Sequence, residues 1–326
     1  MRSISDIQSA LDRAVADGGV PGIVAELQDG EAEPWFGTAG VADTATGRAR
    51  RPGEHFRIGS FTKAFTGTVV LLLAAEGRLS LDDTVAAWLP GVVEEHLGGD
   101  GTGITVRRLL NHTSGLPDAF PGQEPPSPEK PGERFIYSKV NYNLVGMIVE
   151  QVTGSTLAEE IDRRLARPLG LAGTYLPGTD NTLREPHARH YSKADAFGAP
   201  VEVHDVTDAD LSWAGAAGGM VSTTSDLHRF LRDLLGGRLL APAQQEEMFT
   251  TVPTRDWVPD TRYGLGVYAQ TLPSGATLWG GGGYIQGSVT YAMGDRQGTR
   301  TLVSNLNGDW NDFLETFTDL YDNPAG

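Results

Sequence analysis

Cysteine is missing from all 326 residues of the chain. Disulfides, thiol nucleophiles and cysteine-ligated metals are thereby excluded together, and the redox compartment leaves no trace in the sequence. Basic residues are scarce too. Twenty-six Lys and Arg stand against 42 Asp and Glu, a net charge of −16, so no broad face can neutralise a phosphate backbone and nucleic acid is excluded as a partner. Solubility is the simpler meaning of that charge. Long apolar runs are lacking as well: the stretch 68–75 is too short to span a bilayer, which argues against membrane insertion. Residues 1–7 carry no apolar stretch of the signal-peptide kind, so the chain as given is expected to be cytoplasmic, an expectation that a trimmed export signal would change. Its length suffices for a large core, as one composite unit or as two domains.

Periodicity supplies the architecture. Ile4, Ile7, Leu11, Ala14 and Val15 recur at helical spacing, and residues 22–27 and 35–41 read as two strands around the Asp29-Gly30 turn. Helices fill the middle, including residues 141–153, 156–165 and 222–235. Residues 184–206 read as an irregular polar loop, and His187, His190 and His204 within it lack a tight ligand spacing, so no metal site is expected. Towards the C-terminus, residues 263–268, 276–279, 288–292 and 300–304 read as short strands, with a glycine run among the connectors, and residues 309–321 as a closing helix. The expected fold class is α/β (α+β): one antiparallel sheet from the N- and C-terminal segments, flanked by helices, with an all-helical region inserted. In domain terms, residues 1–57 and 240–326 form the sheet domain and 58–239 a mainly helical one, with the active site at their interface.

The chain's chemistry centres on Ser60-x-x-Lys63, just before the apolar run 68–75. Three-residue spacing at a helix start puts hydroxyl and amine on one face. Free N–H groups and the positive end of the dipole lie there as well. A lysine desolvated by apolar neighbours becomes neutral enough to activate a serine.

Around this pair the sequence resembles the serine β-lactamase and penicillin-binding superfamily, specifically class C β-lactamases, D-alanyl-D-alanine carboxypeptidases and related esterases. The resemblance rests on Phe56-Arg57-Ile58-Gly59-Ser60-Phe61-Thr62-Lys63, on Leu109-Leu110-Asn111-His112-Thr113-Ser114-Gly115-Leu116, on Pro131-Gly132-Glu133-Arg134-Phe135-Ile136-Tyr137-Ser138, on Ala217-Gly218-Gly219-Met220-Val221-Ser222, on Tyr263-Gly264-Leu265-Gly266 and on Gly283-Tyr284-Ile285-Gln286-Gly287. It implies Ser60 as nucleophile and Lys63 and Tyr137 as its proton acceptors, Tyr137 as a phenolate. It also implies an oxyanion hole from the backbone N–H groups of Ser60 and Tyr284.

Two departures bear on substrate. Where such relatives have Tyr-x-Asn the chain has Tyr137-Ser138-Lys139, and where they have His-x-Gly or Lys-Thr-Gly it has Gly281-Gly282-Gly283. A second ammonium at Lys139 either adjusts the charge on Lys63 and Tyr137 or swings to solvent. Glycine at position 281 removes a side-chain donor for a substrate carboxylate, and no arginine lies between Gly264 and Trp279. Phe120 and Trp213 match cleft-lining positions, and Trp279 and Tyr284 flank the glycine run as an apolar wall.

The expected function is therefore a serine hydrolase or acyltransferase acting through a Ser60 acyl-enzyme on an ester or amide of a small molecule, in specialised metabolism. It needs no cofactor, and water or another acceptor completes the reaction. The alternatives are a D-alanyl-D-alanine carboxypeptidase or β-lactamase, and a catalytically weak ligand-binding homologue. The oligomeric state is not legible in the sequence.

Overall fold

The computed structural model describes residues 4–30, 32–118, 127–178, 180, 182–195, 198–311 and 313–321. Its framework is a sheet to which both ends of the chain contribute. From the N-terminal end come β1 (Gly22–Asp29), β2 (Trp35–Asp43) and β3 (Arg48–Ala49). Next are β4 (Phe56–Arg57), β5 (Tyr191–Ala194), β6 (Pro200–Asp205) and β7 (Val221–Ser222), which pair two by two outside the main sheet, β4 with β7 and β5 with β6. The C-terminal part supplies β8 (Val252–Pro253), β9 (Thr261–Tyr263), β10 (Tyr268–Thr271), β11 (Thr277–Ile285), β12 (Ser288–Gly294) and β13 (Arg300–Leu306). The main sheet runs β3-β2-β1-β13-β12-β11-β10-β9-β8, antiparallel throughout. The two termini meet at the β1–β13 ladder, from Ile23 opposite Leu306 to Asp29 opposite Arg300.

Both faces of this sheet are covered, which is why β12 is buried along its whole length and β1 everywhere but its last residue. On one face lies the Ile4–Ala16 helix, whose Ile7, Leu11 and Ala14 are buried, together with Phe313–Tyr321, whose Phe317 ring stacks on Tyr291 at 4.8 Å. On the other face the Thr224–Leu235 helix packs on β1, β12 and β13. Its Phe230 ring stacks on Phe65 at 3.8 Å, joining the sheet to the Thr62–Ala75 helix. That helix is buried nearly all round, so no amphipathic stripe marks it in the sequence. Thr224–Leu235 falls inside the stretch 58–239, so that stretch supplies one layer on the sheet as well as the helical region. Among the described residues no helix is long and apolar enough to cross a membrane.

Three local expectations need correction. The stretch 263–268 is not one strand: residues 264–267 are a turn between β9 and β10, closed by the Gly264 N–H donating to the Val267 carbonyl at 2.8 Å, with Gly266 at a φ of +97°. The glycine run is strand: Gly280 to Gly283 of β11 pair in register with Met293 to Thr290 of β12. A strand without side chains is held by its ladder alone, and a reading by side-chain pattern passes over it. Residues 184–206, expected to be irregular, contain the β5–β6 hairpin, whose second strand is so exposed that its alternation is lost. His190 there is fully buried, its Nδ1 3.3 Å from the Arg57 guanidinium.

Candidate active site

Ser60 lies in a one-turn 3-10 segment, Gly59–Phe61, directly ahead of the Thr62–Ala75 helix. Two glycines bring β11 against this turn. Gly59 has a φ of +50°, and a Cβ there would stand 2.9 Å from the backbone of Gly283 and Tyr284. A Cβ on Gly283 would come within 1.9 Å of the Ile58 carbonyl oxygen and 2.9 Å of the Ser60 nitrogen. The Tyr284 peptide is thereby held beside the Ser60 peptide.

Two side chains converge on the Ser60 hydroxyl. Lys63 Nζ donates to Oγ at 3.0 Å, and the Tyr137 hydroxyl donates to it at 2.8 Å. Lys63 is fully buried, donates also to the Ala217 carbonyl at 2.7 Å, and stands over the rings of Tyr137 and Tyr142 at 4.8 and 5.5 Å. Its hydrogen bonds thus go to neutral oxygens. Burial, and after it the neighbouring Lys139 charge, bring its pKa down to about 7, against an opposing pull from Asp118. An amine so placed is partly neutral near pH 7 and can take a proton from the hydroxyl.

Tyr137 does not fit the phenolate expected for it. Its apolar surround pushes the phenol pKa well up, Asp118 adds to the rise, and the hydrogen bond with Ser60 only partly offsets it. The ring stacks on Trp257 at 5.2 Å and 16° and lies 4.5 Å from His112. His112 is fully buried, and its Nδ1 faces two donors, the Ser138 N–H at 3.3 Å and the Asn141 amide at 3.0 Å. Ser114 Oγ donates to Asn141 Oδ1 at 2.6 Å, which fixes the amide orientation and leaves His112 Nδ1 as the acceptor. The His112 carbonyl accepts the Ile136 N–H at 2.8 Å, so the histidine braces the segment that carries Tyr137. Burial keeps it neutral.

Lys139, the residue in place of asparagine, does not swing to solvent. It opens the Lys139–Thr153 helix, its N–H donates to Asp118 Oδ1 at 2.8 Å, and its ammonium pairs with the other oxygen of the same carboxylate. It also lines a cavity of about 400 Å³ whose floor includes Ser60 and Tyr137. Gly282, Gly283, Tyr284 and Trp213 line that cavity too, the last two 51% and 38% exposed at its mouth.

Gly281 and Trp279 do not line it. A Cβ on Gly281 would meet the Phe61 ring, 3.2 Å from Cδ2. Trp279 stands edge-on to Phe249 at 5.1 Å, against the core. Phe120 lies outside the described residues. Sequence reading missed Trp257, Tyr268 and Tyr291 on the apolar wall, and Asp195 and Asp210 on the rim. Tyr268 and Tyr291 fall in stretches read as strands, which gave them no role at a site. The others come from segments with no distinguishing local pattern.

Comparison with known proteins gives the family. The structure is similar to the D-stereospecific amidohydrolase of Streptomyces sp., with a TM-score of 0.86 and 39% identity over 98% of this chain and 99% of that one. It is also similar to the D-amino acid amidase of Ochrobactrum anthropi SV3 solved with L-phenylalanine, at a TM-score of 0.86 and 29% identity over 97% of each chain. By sequence it matches protein flp of Staphylococcus aureus strain N315, 30% identical over 56% of this chain and 39% of that protein. It also matches penicillin-binding protein 4* of Bacillus subtilis strain 168, 26% identical over 83% of this chain and 65% of that protein. The chain thus spans less than two thirds of either curated relative. Residues 7–319 match the family model described as Beta-lactamase, and the chain belongs to that family.

Proposed function

We propose that the protein cleaves the amide or ester of a small acyl donor through an acyl-enzyme on Ser60, and that amides of D-amino acids with an apolar side chain are its substrates. The observation that carries this reading is the Ser60 hydroxyl held between the buried amine of Lys63 and the phenol of Tyr137 on the floor of an aromatic cavity.

In this mechanism Lys63 takes the Ser60 proton as Oγ attacks the carbonyl carbon. The N–H groups of Ser60 and Tyr284 hold the oxyanion, and the un-ionised Tyr137 hands its proton to the departing amine and recovers one from the water or acceptor of the second step, while Lys63 returns its proton to Oγ as the acyl bond breaks. Water, or an amine acceptor, then releases the acyl group by the reverse sequence.

Trp257, Trp213 and Tyr284 offer an apolar acyl group stacking surfaces, while Asp195 and Asp210 give the rim a negative charge suited to a free ammonium. No arginine lines the cavity among the described residues, and Lys139 is engaged by Asp118, which disfavours a terminal carboxylate. The two amidohydrolase neighbours support the same class, since their names specify D-amino acid amides or D-stereospecific hydrolysis.

Turnover of D-phenylalanine amide, its L enantiomer, p-nitrophenyl esters, D-alanyl-D-alanine peptides and cephalosporins by one preparation tests the reading. The D-amide is expected to be hydrolysed fastest, and Ser60→Ala to lose at least about 10³-fold in kcat while remaining folded. Undiminished turnover by Ser60→Ala removes the acyl-enzyme. A clear preference for cephalosporin or D-alanyl peptide removes the substrate class.

A further inference from the structure

Lys63 needs to be neutral to accept a proton, and its surroundings supply few charges. Tyr137, Tyr142 and, behind them, Tyr263 are kept un-ionised by burial, and His112 is kept neutral the same way. The Gly215–Gly218 turn contributes only the Ala217 carbonyl. Burial is the main cause that lowers the Lys63 pKa; the charges that adjust it are Lys139, which lowers it further, and Asp118, which raises it. Those two are locked together: Asp118 accepts both the backbone N–H and the ammonium of Lys139, at the first residue of the helix that also carries Tyr142.

We propose that Lys139 and Asp118 form a positioning pair that sets the ionisation of Lys63: the ammonium, fixed at the cavity wall by its carboxylate, holds the base in the form that can deprotonate Ser60. The pair acts through Lys63 and need not touch the reacting atoms. This inference rests on the reading of Ser60 as the acylated residue and Lys63 as its base. It gives a function to the lysine that stands where an asparagine is usual.

The test uses a fluorophosphonate, which needs no knowledge of the substrate. Ser60 Oγ attacks phosphorus, the P–F bond breaks, fluoride leaves and the Ser60 proton passes to Lys63. The labelling rate is therefore expected to rise with pH along a limb that reports the ionisation of Lys63. Replacing the ammonium in Lys139→Asn removes a repulsion on charged Lys63 and is expected to move that limb to higher pH. Replacing the carboxylate in Asp118→Asn leaves an acceptor for the backbone N–H but removes the opposing negative charge, and is expected to move the limb to lower pH. Each shift is expected on the order of one pH unit, the lower end of what a nearby charge does. Lys139→Arg should keep the wild-type limb.

A merely structural role lowers the rate without moving the limb, or moves it in the same direction for both variants, and either result overturns the pairing. A wild-type protein that takes no label at Ser60 at any pH is a different failure: the acyl-enzyme reading itself falls, and the pairing with it.

Discussion

At Gly283 the surroundings leave room for hydrogen and nothing larger, because the Ile58 carbonyl and the Ser60 nitrogen crowd the place where a Cβ would stand. Gly283→Ala must push β11 away from the Ser60 turn. It is expected to cost about 3 kcal/mol in denaturant unfolding, the upper end of the overpacking range, and on the order of 10²-fold in kcat through the displaced Tyr284 N–H. Gly281 is a milder case. Its substituent would meet the Phe61 ring, so Gly281→His, which reinstates the usual family residue, is expected to cost about 1–3 kcal/mol without adding a donor to the cavity. Gain of cephalosporin turnover by that variant at unchanged stability would show that Phe61 yields. Ser60, Lys63 and Tyr137 were each legible as motif residues. Asp118 had no role assigned to it, since its pairing with Lys139 joins two segments that only folding brings together.

At the scale of elements, β1 and the Thr224–Leu235 helix meet through two carboxylic acids. Glu26, buried in the strand, and Asp226, in the first turn of the helix, both have raised pKa values, chiefly by burial and, for Glu26, further by the charge of Asp226. Because folding raises these values, the folded form keeps protons that the unfolded chain releases. Their contribution is fully present below the ordinary carboxyl values of 4.5 and 3.8 and is lost as pH rises through the folded ones. Glu26→Gln, which stays neutral and retains an acceptor for the Thr224 hydroxyl, is expected to unfold at higher urea concentration than wild type at about pH 8, with the advantage shrinking towards about pH 4. A variant less stable at the higher pH would mean that charged Glu26 is well compensated. The same pair of elements illustrates what local sequence reveals: the helix was legible over residues 222–235, but nothing local in Ile23-Val24-Ala25-Glu26-Leu27 marks Glu26 as a residue facing a second acid.

For the whole molecule, the cavity is a product of assembly. Ser60 comes from the head of the central helix, Tyr137 and Lys139 from the start of another, Asp195 from the β5–β6 hairpin, Asp210 and Trp213 from the segment beyond it, Trp257 from ahead of β9 and Tyr284 from β11. The negative rim exists only when these parts are together. Replacing both rim carboxylates, Asp195→Asn with Asp210→Asn, is expected to raise KM for D-phenylalanine amide about tenfold and to leave the N-acetylated amide nearly unchanged, since only the former carries an ammonium. Equal losses for both substrates in steady-state kinetics would assign the two residues to the architecture of the mouth.

The sequence by itself determined the family and the fold class. It also supplied the Ser60-x-x-Lys63 spacing and Tyr137, because local periodicity and short motifs record what neighbours along the chain do. It carried β1, β2, β12, β13 and the amphipathic helices for the same reason. The tertiary structure alone decided that the glycine run is a strand, that Gly281 faces Phe61 instead of the cavity, that Tyr137 is buried in surroundings that push its pKa up and that Lys139 answers to Asp118. Each of these depends on which groups are brought together across long stretches of chain and on how much water their meeting excludes, and neither quantity is written in any local pattern.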